Sequence, residues 1–471
     1  MWKRLDRRIF IWDREFTGTV VRLALPVLLQ ALVASFMFIV DNLMIGQLGQ
    51  SALAGVTQAN RITFLMQVTM FGVVSGASVF TAQYWGARDL NGIHRTLGLG
   101  MLTAGCVALP FALAAIFIPE QLMRVLIQSE GAEDALAAGI EYLRVVGFAY
   151  LLQAVSMVQS AVLKSTEQVK LPMYGSFAAI LTNVTFNALL IFGYLGFPRL
   201  GVTGGAIATV MGCVVELVIL VLAGYRMKFA NAAPLKSLLS GTREDAKHFF
   251  RVVLPTMVNE AFWSLGMVCY AIAYGMMGEA TVAAVSIFNN VEQLSSVALR
   301  GATHACAVMI GMAIGSGRND DAELTARRML VLGASLGVVV GVLVVIASPL
   351  VVARFPVPAE TAAAARALIN TYAGFIWVQS LACLLIVGIL RAGGDVRYAM
   401  LVDVLPVWLI GIPLVFLAGP ALSWPINWVY LLTRIEEVMK TGISLKRLKS
   451  GRWIHNLVAP QEITGETLPT P

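Results

Sequence analysis

The chain has 471 residues, of which 58% are hydrophobic and 13% are charged, and its formal net charge is +7. Because a soluble domain carries about 25% charged residues, this composition excludes a water-soluble globular protein. The apolar runs reach roughly twenty residues or more, as at 332–352, which favours transmembrane helices over the short alternating strands of a membrane β-barrel.

Twelve apolar runs, bounded by charged residues, glycine or proline, predict membrane-spanning helices. They lie at 19–45, 53–80, 95–118, 136–163, 171–196, 203–225, 250–275, 282–312, 326–352, 362–390, 396–419 and 424–439. The twelfth run is the weakest, because it is short and ends in charged residues. The pattern predicts an all-α polytopic membrane protein with a basic lead-in at 1–18, a linker at 227–248 and a tail at 441–471.

Most basic residues fall on one side of the predicted membrane. They are found in the lead-in, in the even-numbered loops, which include Arg88, Lys164, Lys170, Arg318 and Arg391, and in the tail from Lys440 to Arg452. Because positively charged loops remain in the cytosol, both termini are predicted to be cytosolic, in a protein of the cell (inner) membrane. This placement accounts for the net positive charge without a nucleic-acid partner.

The sequence repeats itself, with a constant shift along the first of two aligned pairs of segments. The aligned segments are 23–60 with 252–290, and 163–173 with 390–400. The first alignment pairs proline, glycine and asparagine residues rather than the common leucines. The pairs are Pro26 with Pro255, Gly46 with Gly275, Gly49 with Gly278 and Asn60 with Asn289. We therefore predict two pseudo-symmetric six-helix bundles, at 19–226 and 249–440. A cavity between them would be exposed to either side of the membrane in turn.

Several segments resemble sequences of the multidrug and toxic compound extrusion (MATE) family. They are VDNLMIGQLG at 40–49, FGYLGFPRLGVTGGAIAT at 192–209, LPTMVNEAFWSLG at 254–266 and LRAGGDVR at 390–397. The resemblance extends over residues 20–440. It implies export of organic compounds, often amphipathic cations, by antiport against sodium ions or protons.

An acidic side chain, Asp41, lies near the end of the otherwise uncharged first span. A charged group at mid-span costs about 2.5–3.5 kcal/mol to insert, so a carboxylate there needs a partner. It can bind a sodium ion or carry a proton, and either event would neutralise it and shift a conformational equilibrium. The alternative is a carboxylate held in a static hydrogen-bond network.

Two asparagines of the fifth span, Asn183 and Asn187, are four residues apart and therefore share one helix face. Amide oxygens that converge on a carboxylate make a hard-oxygen site for a small cation. The resemblance implies such a site between the first and fifth spans, with Asp41, Asn183 and Asn187 as sodium ligands if the coupling ion is sodium. Thr209 would add a hydroxyl. The alternative is that the asparagines only join neighbouring helices.

In the second half, Glu260 in the seventh span, beside Asn259, is the predicted carboxylate for proton coupling or for a cationic substrate. Aromatic side chains further along the span would face that substrate: Trp263, Tyr270 and Tyr274. The resemblance is incomplete at this point. Better-known members carry the seventh-span acid about one turn later and often a tenth-span acid, whereas residues 370–390 contain none.

Weaker candidates lie on other spans of the second half. Gln379 is a polar residue of the tenth span, and Glu292 and Arg300 are eight residues apart on the eighth, on a similar face. The last two would form a buried ion pair with other groups or line the cavity. A structural role is favoured for both, as it is for Glu216 and Asp403.

The leading hypothesis is a monomeric secondary exporter of small organic molecules in a lipid bilayer, with no cofactor beyond sodium ions or protons. The alternative is a flippase for a lipid-linked precursor, which would need a basic cavity, whereas in-span basic residues are few. An enzyme is disfavoured because the four histidines are scattered and no nucleotide loop is found. A channel is disfavoured by the duplicated two-lobe pattern.

Overall fold

A computed structural model describes residues 13–127 and 131–458. The long helices are α1 (Arg14–Gly46), α2 (Gln50–Gly86), α3 (Leu90–Phe117), α5 (Glu133–Ser165), α6 (Lys170–Phe192), α7 (Gly201–Met227), α9 (Arg243–Met276), α10 (Glu279–Gly315), α11 (Asn319–Val352), α12 (Ala359–Cys383) and α15 (Ile426–Lys449). Two short helices, α4 (Pro119–Leu126) and α8 (Leu235–Leu238), lie in connections. Parts of the predicted lead-in, before residue 13, and of the tail, after residue 458, lie outside the described residues.

The remaining span is interrupted. It runs from Val396 to Ala421 as α13 (Val396–Pro406), a π-helical turn, α14 (Ile412–Phe416) and a second π-helical turn. Helix α12 also continues as a π-helix, from Leu384 to Arg391. Together with the long helices, this span completes the predicted all-helical fold of two six-helix groups.

Eleven of these spans, among the described residues, are long and apolar enough to cross a membrane. The twelfth span is helix α15, which has 24 residues. It ends at Lys449, ten positions beyond the predicted boundary. It buries charged side chains, including Arg434, Glu436 and Lys440, which lower its hydropathy. This explains why its apolar run is the weakest of the twelve.

The repeat has a structural counterpart at the first helix pair of each half. Pro26 lies inside α1 and Pro255 inside α9. The turn into α2 is made by Gly49 with φ +120°, and the turn into α10 by Gly278 with φ +106°. Residues that carry a side chain rarely adopt such φ values, so glycine is favoured at both turns.

The two halves meet near the side of the bundle at which α1 begins and α15 ends, which we call the terminal face. Gly76 of α2 packs against Val253 of α9, and Gly315 of α10 packs against the backbone of Gln83. A Cβ atom on either glycine would overlap its neighbour, so the close approach of the lobes depends on these glycines. Since these contacts fall in the last part of α2 and the first part of α9, they join the lobes at the terminal face.

A short segment after α15, residues 451–458, lies across this junction, and we call it the C-terminal strap. Gln83, fully buried, donates from Nε2 to the carbonyl of His455 at 3.2 Å and accepts at Oε1 from the amide of Leu457 at 2.8 Å. Asn456 donates to the carbonyl of Ile314 at 3.2 Å. The strap therefore bonds α2 of the first lobe and α10 of the second.

Candidate functional site

Helices α1, α6 and α7 pack together in the first lobe and bring the predicted coupling residues into contact. Asn187 donates from Nδ2 to Oδ1 of Asp41 at 2.6 Å and to Oδ1 of Asn183 at 2.9 Å. Both asparagines are buried, because the face of α6 that carries them is turned towards its neighbours. The structure thus places all three side chains in one group, which we call the outer station.

Thr209 of α7 completes the outer station. Asn183 donates from Nδ2 to its hydroxyl at 3.3 Å, and the hydroxyl donates to the Gly205 carbonyl at 3.1 Å. Gly205 lies beside Asn187, whose Oδ1 would be at an ordinary contact distance of 3.6 Å from a Cβ atom there. Small residues of this kind allow membrane helices to approach closely.

The outer station has the oxygen atoms that a small cation requires. Asn187 Oδ1 is buried and accepts no hydrogen bond from the described residues, and the Asp41 carboxylate is half-buried beside the same side chain. A buried acceptor without a donor is costly, and a bound cation would satisfy it. Carboxylate, amide and hydroxyl oxygens are suitable ligands for a sodium ion, and the carboxylate is equally suited to a proton.

In the second lobe, Glu260 lies in a network of opposite charges. Its Oε1 is 2.8 Å from Nη1 of Arg391, whose Nη2 is 3.5 Å from Oδ2 of Asp403. Asn259 donates to the same Asp403 oxygen at 3.0 Å, and Lys440 Nζ lies 3.2 Å from the other. Glu260 thus forms an ion pair with the Arg391 guanidinium.

Arg391 and Lys440 belong to this network of charges, although their positions in the sequence predict a loop and the tail. The structure corrects that assignment, because both are buried, Arg391 at the end of the π-helix and Lys440 within α15. A signal was present in the repeat, which aligns Arg391 with Lys164, another basic residue at the end of a span.

The predicted aromatic residues do not surround Glu260. Trp263 is exposed at the surface of α9, whereas the Tyr270 hydroxyl is buried and donates to Oε2 of Glu436 at 2.6 Å. The Tyr270 and Tyr274 rings stack with centroids 6.4 Å apart. Since Tyr270 lies ten residues beyond Glu260, the two are about 15 Å apart along the helix axis.

The weaker candidates form a second polar group of the same lobe. Glu292 interacts with Gln379, and also electrostatically with Arg434 and Arg300. Arg300 is exposed and donates to Ser296 Oγ at 3.4 Å, and no ion pair joins it to Glu292 within 4.0 Å in the described part of the chain. Arg434 instead lies over the Tyr430 ring, 4.4 Å from its centroid.

Two related lobes of long apolar helices, each with polar groups buried among its spans, define a multi-pass membrane transporter. The MatE family model matches residues 26–189 and 255–417, one segment in each lobe. These segments begin at the two prolines that the repeat aligns. The chain belongs to the MATE family of multidrug efflux transporters.

Relatives match over nearly their whole length. The chain is 23% identical to the "Uncharacterized transporter YisQ" of Bacillus subtilis, covering 94% of this chain and 96% of that one. It is 22% identical to a "Probable multidrug resistance protein NorM" of Thermotoga maritima, covering 95% of each. A solved structure titled as MATE in the straight conformation aligns with a TM-score of 0.82 at 17% identity, covering 95% and 99%. This confirms the predicted fold.

Proposed function

We propose that this protein exports organic cations across the cell membrane by antiport against sodium ions or protons bound at the outer station. One observation carries the proposal. The side chains of Asp41 and Asn187 come from two different helices and are hydrogen-bonded to each other, and Asn187 Oδ1 accepts no hydrogen bond from the described residues. A cation bound there would neutralise the carboxylate and fix α1 against α6. In this scheme the protein acts as a monomer with both termini in the cytosol.

Coupling then follows from differential binding. An ion changes a conformational equilibrium only if it binds one state more tightly than the other. Asp41 and Asn187 are on separate helices, so a change in the angle of α1 would separate the oxygens and release the cation. Pro26 removes one backbone hydrogen bond of α1 and favours such bending.

The lobes are joined at the terminal face, which the proposal places in the cytosol. A substrate path between them would therefore be open on the other side in this state. Ion release and substrate loading would require the Gly76–Val253 and Gly315–Gln83 contacts to separate. The relatives named as multidrug resistance proteins support a substrate range of small organic molecules.

The test is transport by purified protein in liposomes. Liposomes are loaded with a fluorescent cation of the ethidium type, and a sodium gradient at equal pH or a pH gradient without sodium is imposed separately. We expect one gradient to accelerate efflux above protein-free liposomes, and an ionophore that collapses that gradient to abolish the effect. Efflux that responds to neither gradient would contradict ion coupling.

Orientation is tested separately in intact cells. A cysteine introduced at Ser450, which is exposed after α15, is labelled in a variant whose native exposed Cys106 is replaced by alanine. We expect an impermeant maleimide to react only after the cells are permeabilised. Labelling in intact cells would place the terminal face outside.

A further inference from the structure

A second polar group lies on the same helices as the outer station, closer to the terminal face. Gln30 of α1 donates from Nε2 to Ser176 Oγ at 2.6 Å, and Ser176 donates to Oε1 of Glu216 on α7 at 2.6 Å. All three side chains are half-buried in the interior of the lobe. We call this group the inner station.

The two stations repeat one packing arrangement along α1 and α6. Both the Asp41–Asn187 and the Gln30–Ser176 hydrogen bonds join residues 146 positions apart, so the same helix faces meet twice. Eleven residues separate the two contacts on each helix, which is about three turns, or 16 Å. On α7, Thr209 and Glu216 are seven residues apart and share a face. A continuous helix seam therefore carries two polar groups with one carboxylate each.

The second lobe contains the counterpart of the inner station. The repeat aligns Gln30 with Asn259 and Ser176 with Asp403, and these two are also hydrogen-bonded, at 3.0 Å. The third member there comes from α15 and is a cation: Lys440 Nζ lies 3.2 Å from Asp403 Oδ1. In the second lobe, this position is thus occupied by a carboxylate and an ammonium group that is part of the chain.

In the first lobe, the carboxylate of Glu216 has no basic side chain of the described residues in direct contact with it. Glu216 makes no ion pair within 4.0 Å to any residue of 13–127 or 131–458. Lys164, which the repeat aligns with Arg391, interacts electrostatically with Glu216 but stays beyond that distance. By contrast, Arg391 bonds directly to Glu260. Glu216 has two half-buried polar neighbours, Ser176 and Gln30, that offer further oxygens.

We propose that the inner station is a second binding site for an exchangeable monovalent cation, a sodium ion or a proton, held by Glu216 with Ser176 and Gln30. A cation that leaves the outer station would bind there before it reaches the terminal face. The proposal rests on the proposed function, because it assumes that the outer station also takes a cation. A purely structural role predicts that Glu216 binds none.

Cation binding is counted in purified protein for the wild type, Asp41→Asn, Glu216→Gln and the double variant. Sodium is measured by equilibrium binding of labelled sodium at fixed pH. Protons are measured by infrared titration of protonated carboxyl groups in sodium-free buffer. For whichever ion binds, we expect each single variant to lose one of two sites and the double variant to lose both.

The two proposals fail in different ways. Full binding by Glu216→Gln, with one site lost in Asp41→Asn, would overturn the inner station and leave the outer one intact. Full binding by Asp41→Asn, with one site lost in Glu216→Gln, would overturn the outer station and leave the inner one intact.

A variant that keeps the charge covers the case in which Glu216→Gln does not fold. Ser176→Ala removes the hydroxyl donor of Glu216. We expect sodium to bind about tenfold more weakly at the inner station, because it loses an oxygen ligand, or a proton to bind more tightly, because the charged carboxylate loses a donor. The matched control is Ser35→Ala on α1, whose hydroxyl donates only to the carbonyl of Ala31 in its own helix. Equal affinities in Ser176→Ala, Ser35→Ala and the wild type would overturn the proposal.

Discussion

Asn187 Nδ2 lies 2.6 Å from Asp41 Oδ1, and this contact joins α6 to α1 at the centre of the outer station. Replacing Asn187 by leucine keeps the branched shape of the side chain but removes the donor and the unsatisfied oxygen. We expect the ion dependence of efflux to change in a direction that depends on the ion. Sodium should bind about tenfold more weakly, because it loses an amide oxygen ligand, whereas a proton should bind more tightly, because the charged carboxylate loses a hydrogen-bond donor. The measurement is efflux from liposomes as a function of the driving ion.

The control for that variant lies on the same helix. Thr185 is exposed and its hydroxyl donates only to the carbonyl of Leu181, so Thr185→Val changes polarity away from the station. It should transport like the wild type. An Asn187→Leu protein with unchanged ion dependence would show that the amide only joins the helices.

The ion network of the second lobe predicts a stability effect. Arg391→Met leaves Glu260 and Asp403 without their shared guanidinium, and an uncompensated buried charge costs about 3–5 kcal/mol. We expect a clear decrease in the thermal unfolding temperature in detergent, partly reversed by adding Glu260→Gln. Arg124→Ala, which breaks an exposed pair with Glu120, should have little effect. Similar unfolding temperatures for the two arginine variants would contradict the network.

The C-terminal strap predicts a change in local dynamics. Gln83→Leu removes the side-chain bonds to His455 and Leu457. We expect faster hydrogen exchange in residues 451–458, because these amides lose their cross-lobe anchor. Thr69→Val on the same helix, whose hydroxyl bonds only to the Leu65 carbonyl, is the control. Exchange unchanged by Gln83→Leu would show that the strap is held by other contacts.

Much of the outer station is visible in the sequence because its signals are local. An acid in an apolar run identifies Asp41, and the four-residue spacing of Asn183 and Asn187 places both on one helix face. The hydrogen bond between Asn187 and Asp41 is not visible in the sequence, since it joins two helices through residues that are 146 positions apart. It was inferred from the family resemblance, and the structure brings these residues together. Their role in coupling remains a proposal.

Other residues could not be found in this way. A basic residue near the end of a span is ordinarily a topology signal, and only tertiary packing shows that Arg391 and Lys440 are buried against acids. The same burial of charge lowers the hydropathy of α15, so its apolar run ends before the helix does. The strap pairs with Gln83 from more than 370 positions away, a distance over which sequence periodicity carries no information.

The most direct test of the account is ion-driven efflux by Asp41→Asn in liposomes, measured beside Asp41→Glu and the wild type. The amide keeps the size of the carboxylate and one acceptor oxygen, but it cannot bind an exchangeable proton and has no charge to attract a sodium ion. We predict that Asp41→Asn inserts and folds normally and gives efflux no faster than protein-free liposomes, while Asp41→Glu retains part of the activity. Wild-type efflux by a well-folded Asp41→Asn protein would contradict coupling at the outer station.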